Sequence, residues 1–89
     1  MTSFIGMDVS AVRSLATQLN SKADEIETIS NALSTQLEHV QWVGHDAEGF
    51  RSEWQGTHRT QLHTVATALR DAATKATNNA NQQEQASAS

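Results

Sequence analysis

Gln41-Trp42-Val43-Gly44-His45 stands near the middle of an 89-residue chain and interrupts two long segments of helical periodicity. Trp42 is one of two Trp residues in the chain. Gly44 lacks a Cβ and so tolerates φ > 0, which a bend needs and other residues avoid. Asp46 follows as a natural helix N-cap, because its short acceptor side chain can bond the free N–H groups of a first turn. The stretch therefore predicts one helix ending near Val40, a turn over residues 41–45, and a second helix starting near Asp46.

Upstream of the bend, Asp8 is a second N-cap candidate, with Met7 and Val12 placed as a hydrophobic staple. Apolar side chains then fall at Val12, Leu15, Leu19, Ile26, Ile29, Leu33, Leu37 and Val40. Val12, Leu19, Ile26, Leu33 and Val40 recur every seven residues, the repeat of a coiled-coil or bundle seam. The second seam position is mixed, running Leu15, Lys22, Ile29, Gln36. Ala16, Ala23 and Leu37 shift the stripe sideways there, which favours bundle packing over a strict two-stranded zipper. The opposite face, with Lys22, Asp24, Glu25 and Glu27, reads as solvated.

Downstream, Ala47, Phe50, Trp54, His58, Leu62, Val65, Leu69, Ala72 and Ala76 follow the α-helical period of about 3.6 residues. Phe50 and Trp54 make the start of this helix bulky, and Ala72, Ala73 and Ala76 make its end thin. Gly49 and Gly56 fall opposite the stripe. From Thr77 onward no large apolar side chain appears, so burial cannot offset the entropy of ordering the chain, and a frayed helix end and flexible tail are expected.

The expected fold is all-α: an N-terminal arm over 1–7, a helical hairpin over 8–76 with its turn at 41–45, and a flexible tail over 77–89. Two helices of similar length joined by a short turn form an antiparallel hairpin. Such a hairpin cannot surround its own stripe, because each helix touches only one neighbour. Pairing two hairpins into a four-helix bundle dimer is therefore expected. The core of the hairpin or of that dimer is expected from Val12, Leu15, Leu19, Ile26, Ile29, Leu33, Leu37, Val40, Phe50, Trp54, Leu62, Val65 and Leu69.

Composition narrows the function. Net charge is −4, and the six basic residues are scattered, which argues against nucleic acid or an anionic membrane as partner. No run approaches the roughly 18 apolar residues of a membrane span, so no stable membrane insertion is expected. The first eight residues show neither the basic segment nor the apolar stretch of a Sec-type signal peptide. No Cys is present, so neither a disulfide nor a thiolate metal site can form.

Catalytic material is sparse. No nucleophile elbow or Gly-rich phosphate loop is visible. His58 and His63 are five residues apart, and so do not share a helix face as an i, i+4 metal pair would. His39 and His45 flank the bend beside Glu38 and Asp46 but match no metal-ligand spacing. His58 falls on the inward stripe and reads as a half-buried packing residue. The expectation is a non-enzyme with no catalytic, cofactor-binding or metal site. Trp42 has two readings: it closes the turn against Phe50 or the partner helix, or it stands partly exposed as a recognition anchor.

Trp42-Val43-Gly44 is a Trp-X-Gly motif set mid-chain between two amphipathic helices, with Ala47, Phe50 and Trp54 following it. Over roughly residues 7–76 the chain resembles the WXG family of small early-secreted-antigen-like proteins, substrates of bacterial type VII secretion. The resemblance implies a homodimeric or heterodimeric four-helix bundle, made with a second copy or a homologous WXG-type subunit. It implies folded export by a membrane-embedded ATPase: cytoplasmic before export, then secreted without a Sec signal peptide. It also implies that Trp42 and Gly44 contribute to a composite export signal with the partner's C-terminal tail. Family members often carry a Tyr-X-X-X-Asp/Glu signal after the second helix, and this chain has no Tyr. Three explanations stay open: a partner supplies the signal, the signal has diverged, or the chain is a cytosolic helical adaptor that is not exported.

Overall fold

The computed structural model describes residues 6–88, and the side chains of 6–87. Residues 1–5 and Ser89, which belong to the expected arm and tail, lie outside the described residues. The described elements are helical: α1 (Val9–His39), α2 (His45–Glu53), a π-helical turn (Trp54–His58) and α3 (Arg59–Ala88). α1 packs antiparallel along α3, which makes the hairpin.

Asp8 caps α1, its Oδ1 accepting from the Ala11 N–H at 3.1 Å. α1 ends at His39, and Val40 leaves it with extended angles. The second helix begins one residue before the expected start, and its N-cap is Gly44, not Asp46. Gly44 has φ 122° and ψ 176°, a region essentially reserved for glycine. Asp46 instead lies with Glu48 in the first turn of α2, where a carboxylate suits the positive end of the helix dipole.

Glu53, Trp54 and Arg59 keep right-handed helical angles, so α2, the π-turn and α3 form one continuous rod. Its 44 residues, at about 1.5 Å each, reach about 66 Å. That is the long dimension of the molecule, 66 × 16 × 14 Å.

The hairpin seam is made of small side chains. Ala16, Ala23, Ser30 and Ser34 are buried on α1, and Ala66, Ala73 and Ala80 on α3. Most of these positions are seven residues apart, so they form one line on each helix. Small side chains along both lines allow close approach of the helices, whose separation depends on the residues between them. Among the described residues Trp54 is the one large residue sealed in, at 7% exposed.

The π-turn reconciles two buried lines that are out of phase. Ala47 and Trp54 lie on one, and Ala66, Ala73 and Ala80 on the other. In an unbroken α-helix at about 100° per residue, Ala66 would point about 120° away from Trp54. A π-turn takes up one extra residue, which cuts the difference to about 20°. His58 is the last residue of this turn. Its side chain is half exposed, 3.9 Å from Glu53.

The segment from Thr77 stays helical to Ala88 where a flexible tail was expected. Ala80 is fully buried. Arg13 of α1 bonds both Asn81 (2.8 Å) and Glu84 (3.0 Å). A methyl in the seam and an ion pair beside it hold the end, so no large apolar side chain is needed.

Candidate interaction face and the tryptophan-glycine bend

The seam divides the hairpin into two unlike edges. Arg13 and Glu27 flank the Ala16-Ala23-Ser30 line on one side; Val12, Leu19, Ile26, Leu33 and Val40 flank it on the other. The polar edge is closed by contacts between the helices. Arg70 bonds Asp24 (2.8 Å) and Glu27 (3.2 Å), the His63 Nδ1–H donates to Glu27 (2.7 Å), and Arg59 donates to Asn31 (3.3 Å). The His63 hydrogen bond and then the Arg70 charge hold the Glu27 carboxyl below its ordinary pKa. Arg13 does the same for Glu84, first by its hydrogen bond and then by its charge.

The apolar edge is open. Leu15, Ile29, Leu33, Val40, Phe50 and Val65 are exposed in the single chain. Val12, Leu19, Ile26, Leu37, Leu62 and Leu69 are half-buried. Of the large apolar residues the sequence nominates, Trp54 alone is buried within the hairpin. Towards the bend this edge holds a cavity of about 590 Å³ walled by Leu33, Leu37, Val40, Phe50 and Trp54.

Trp42 packs against Phe50 and is also partly exposed. Its ring lies 5.9 Å from that of Phe50, tilted by 53°, yet the residue is 40% exposed. Beside it Val43 is 86% exposed, so the bend presents apolar surface to solvent. Trp54 is tied inward by its Nε1–H, which donates to Ser34 Oγ at 2.8 Å.

Sequence reasoning did not single out Arg51. Its guanidinium bonds three backbone carbonyls around the end of α1, those of Leu37, Val40 and Trp42. It also missed the small-residue seam, whose signal was the seven-residue spacing of Ala16-Ala23-Ser30 and Ala66-Ala73-Ala80.

The histidines do not converge. His39 donates from Nδ1 to Thr35 O within its own helix, and His63 pairs with Glu27. Among the described residues no three His, Asp or Glu side chains gather where they could hold a metal ion. No described helix is long and apolar enough to cross a membrane. Compared with protein-family models, with curated proteins and with solved structures, the chain finds no match.

Proposed function

We propose that this chain is a non-enzymatic helical hairpin of the WXG type, which acts by laying its apolar edge against a second hairpin. That second hairpin is another copy of the chain or a homologous subunit, and the pair forms a four-helix bundle. The pair serves bacterial type VII secretion as substrate or substrate-partner, with Trp42 and Gly44 in the recognition element read by the export ATPase. One observation carries this reading: the large apolar side chains of both helices share an open edge that runs to a half-exposed Trp-X-Gly bend. A hairpin with that much uncovered apolar surface gains from burying it against a partner.

The test is export. In a host with a working type VII system, the protein should appear in culture supernatant and vanish from it when the secretion ATPase is inactivated. A second reading, a cytosolic adaptor for another protein's amphipathic helix, draws support from the missing Tyr of the tail signal. Retention inside intact cells under both conditions would favour the adaptor.

A further inference from the structure

The chain leaves α1 without a common helix-ending device. Val40, the C-cap, is extended at φ −71° and ψ 136°. No left-handed Gly or Asn turns the backbone back onto the last carbonyls, as it does at many helix ends. A side chain from the next helix takes that role. Arg51 Nε donates to Leu37 O at 2.9 Å, Nη2 to Val40 O at 3.2 Å, and Nη1 to Trp42 O at 2.8 Å. The three acceptors follow the exit path of the backbone from the last turn of α1 to the bend. A cation is well placed there, at the negative end of the helix dipole.

The same guanidinium lies 5.9 Å from the centre of the Trp42 ring, within the range of a cation–π contact. Phe50, the residue before Arg51, supplies the other contact to that ring. The Trp42 backbone is thus anchored through its carbonyl, and its side chain rests on the two residues that carry the anchor. These contacts reach a residue with 40% exposure in a five-residue connection.

We propose that Arg51 is the positioning residue of the bend: its planar fork fixes the exit from α1 so that Trp42 stands ordered and half in solvent before any partner arrives. An anchor ordered in advance loses less conformational freedom on binding. Lys cannot substitute, because an ammonium is a point charge without a rigid set of donors to span three carbonyls. The role in export rests on the function proposed above; the ordering of Trp42 does not.

The experiment uses the full chain labelled with fluorotryptophan, in which fluorine NMR should give one signal for each of the two Trp residues. Trp42→Phe assigns them. Arg51→Met and Arg51→Lys should each narrow the Trp42 signal and move it toward the free-indole position. The Trp54 signal and the far-UV helicity should stay as they were. In the secreting host both variants should lower export by about two- to tenfold, part of the way to the loss expected of Trp42→Ala. An unmoved Trp42 signal in Arg51→Met overturns the proposal, as does a signal restored by Lys. So does joint loss of the Trp54 signal and helicity, which would make Arg51 a residue of the fold at large. Undiminished export of both Arg51 variants, with Trp42→Ala blocked, overturns the role in export. If the unaltered chain is not exported at all, the secretion reading fails while the fluorine result still decides whether Arg51 orders Trp42.

Discussion

The indole Nε1–H of Trp54 donates to the hydroxyl of Ser34 across the hairpin at 2.8 Å, and both residues are buried. This bond joins the rod after the bend to the last turns of α1. It places a large side chain in a seam otherwise built from methyl and hydroxyl groups. Ser34→Ala leaves a buried indole N–H unpaired, which costs about 1–3 kcal/mol. Trp54→Phe removes the donor itself, so the double variant should cost less than the two single changes added together. Urea midpoints of the four proteins in a double-mutant cycle measure the coupling. Strict additivity would mean that the bond contributes nothing to stability.

Packing in the seam and covering of the open edge should respond differently to protein concentration. Ala23 is fully buried between the helices, and Ala23→Leu must push α1 and α3 apart, at a cost of about 1–3 kcal/mol. That cost belongs to the hairpin and should be independent of concentration. Ile29 is exposed in the single chain, and Ile29→Asp should instead remove assembly. Sedimentation should then shift toward the 9.7 kDa chain. The apparent loss of stability should grow with concentration, because only association is coupled to mass action. A fully folded 9.7 kDa species of the unaltered chain at roughly tens of micromolar, with or without a co-expressed homologue, would contradict the pairing.

Three glycines should behave in three ways. An added Cβ at Gly49 meets nothing within 4 Å, so Gly49→Ala should stabilise by about 0.5–1 kcal/mol through better helix propensity. At Gly44, with φ 122°, Ala is strained whatever the space around it and should cost about 1–3 kcal/mol. Thermal melts should show the opposite signs. Gly56 sits in the π-turn, and its deletion should let the rod close up as unbroken α-helix while Trp54 and Ala66 stay within about 20° of one face. Deleting Thr74 removes a residue with no such slack and should turn Ala80 out of the seam by about 100°. Amide exchange around Ala80 distinguishes the two deletions: protection should persist without Gly56 and be lost without Thr74.

Acid should loosen the polar edge before it melts the seam. The Glu27 and Glu84 carboxyls both sit below their ordinary pKa, held there chiefly by hydrogen bonds from His63 and Arg13 respectively. A depressed folded-state pKa contributes stability that is complete above the unfolded carboxylate value and is lost as pH falls through the folded one. Amide exchange near Asn81–Glu84, read at matched intrinsic rates, should therefore accelerate below the ordinary carboxylate range. Glu84→Gln should remove most of that pH dependence locally and leave exchange around Ala23 unchanged. Equal protection of both regions down to the lowest pH would show that the pair does not hold the helix end.

The two helices, the bend and the open edge were legible in the sequence, because large apolar residues at heptad spacing and a glycine between two periodic segments are local signals. Asp8 could be read as a cap because capping is a matter of a few adjacent atoms. The seam itself was harder to see. Ala16, Ala23, Ala66, Ala73 and Ala80 carry little hydrophobic weight, so a pattern search led by Leu and Ile finds the face that stays open instead. The π-turn at Trp54–His58 was not legible either, because periodicity assumes a constant turn per residue. The helical end of α3 depends on Arg13, 71 residues away in sequence from Glu84. A pairing at that separation leaves no trace in local composition. Arg51 was invisible for a related reason: its partners are carbonyls, and every residue has one.

A seam of methyl groups also sets how this molecule responds to temperature. Parting α1 from α3 wets little hydrocarbon, and the heat capacity of unfolding scales with the hydrocarbon that water newly reaches. A solitary hairpin should therefore have a flat, shallow stability curve with a broad melt. The curvature of a cooperative protein would come with whatever covers Leu15, Ile29, Leu33 and Val65, so a calorimeter would register the partner as much as the chain.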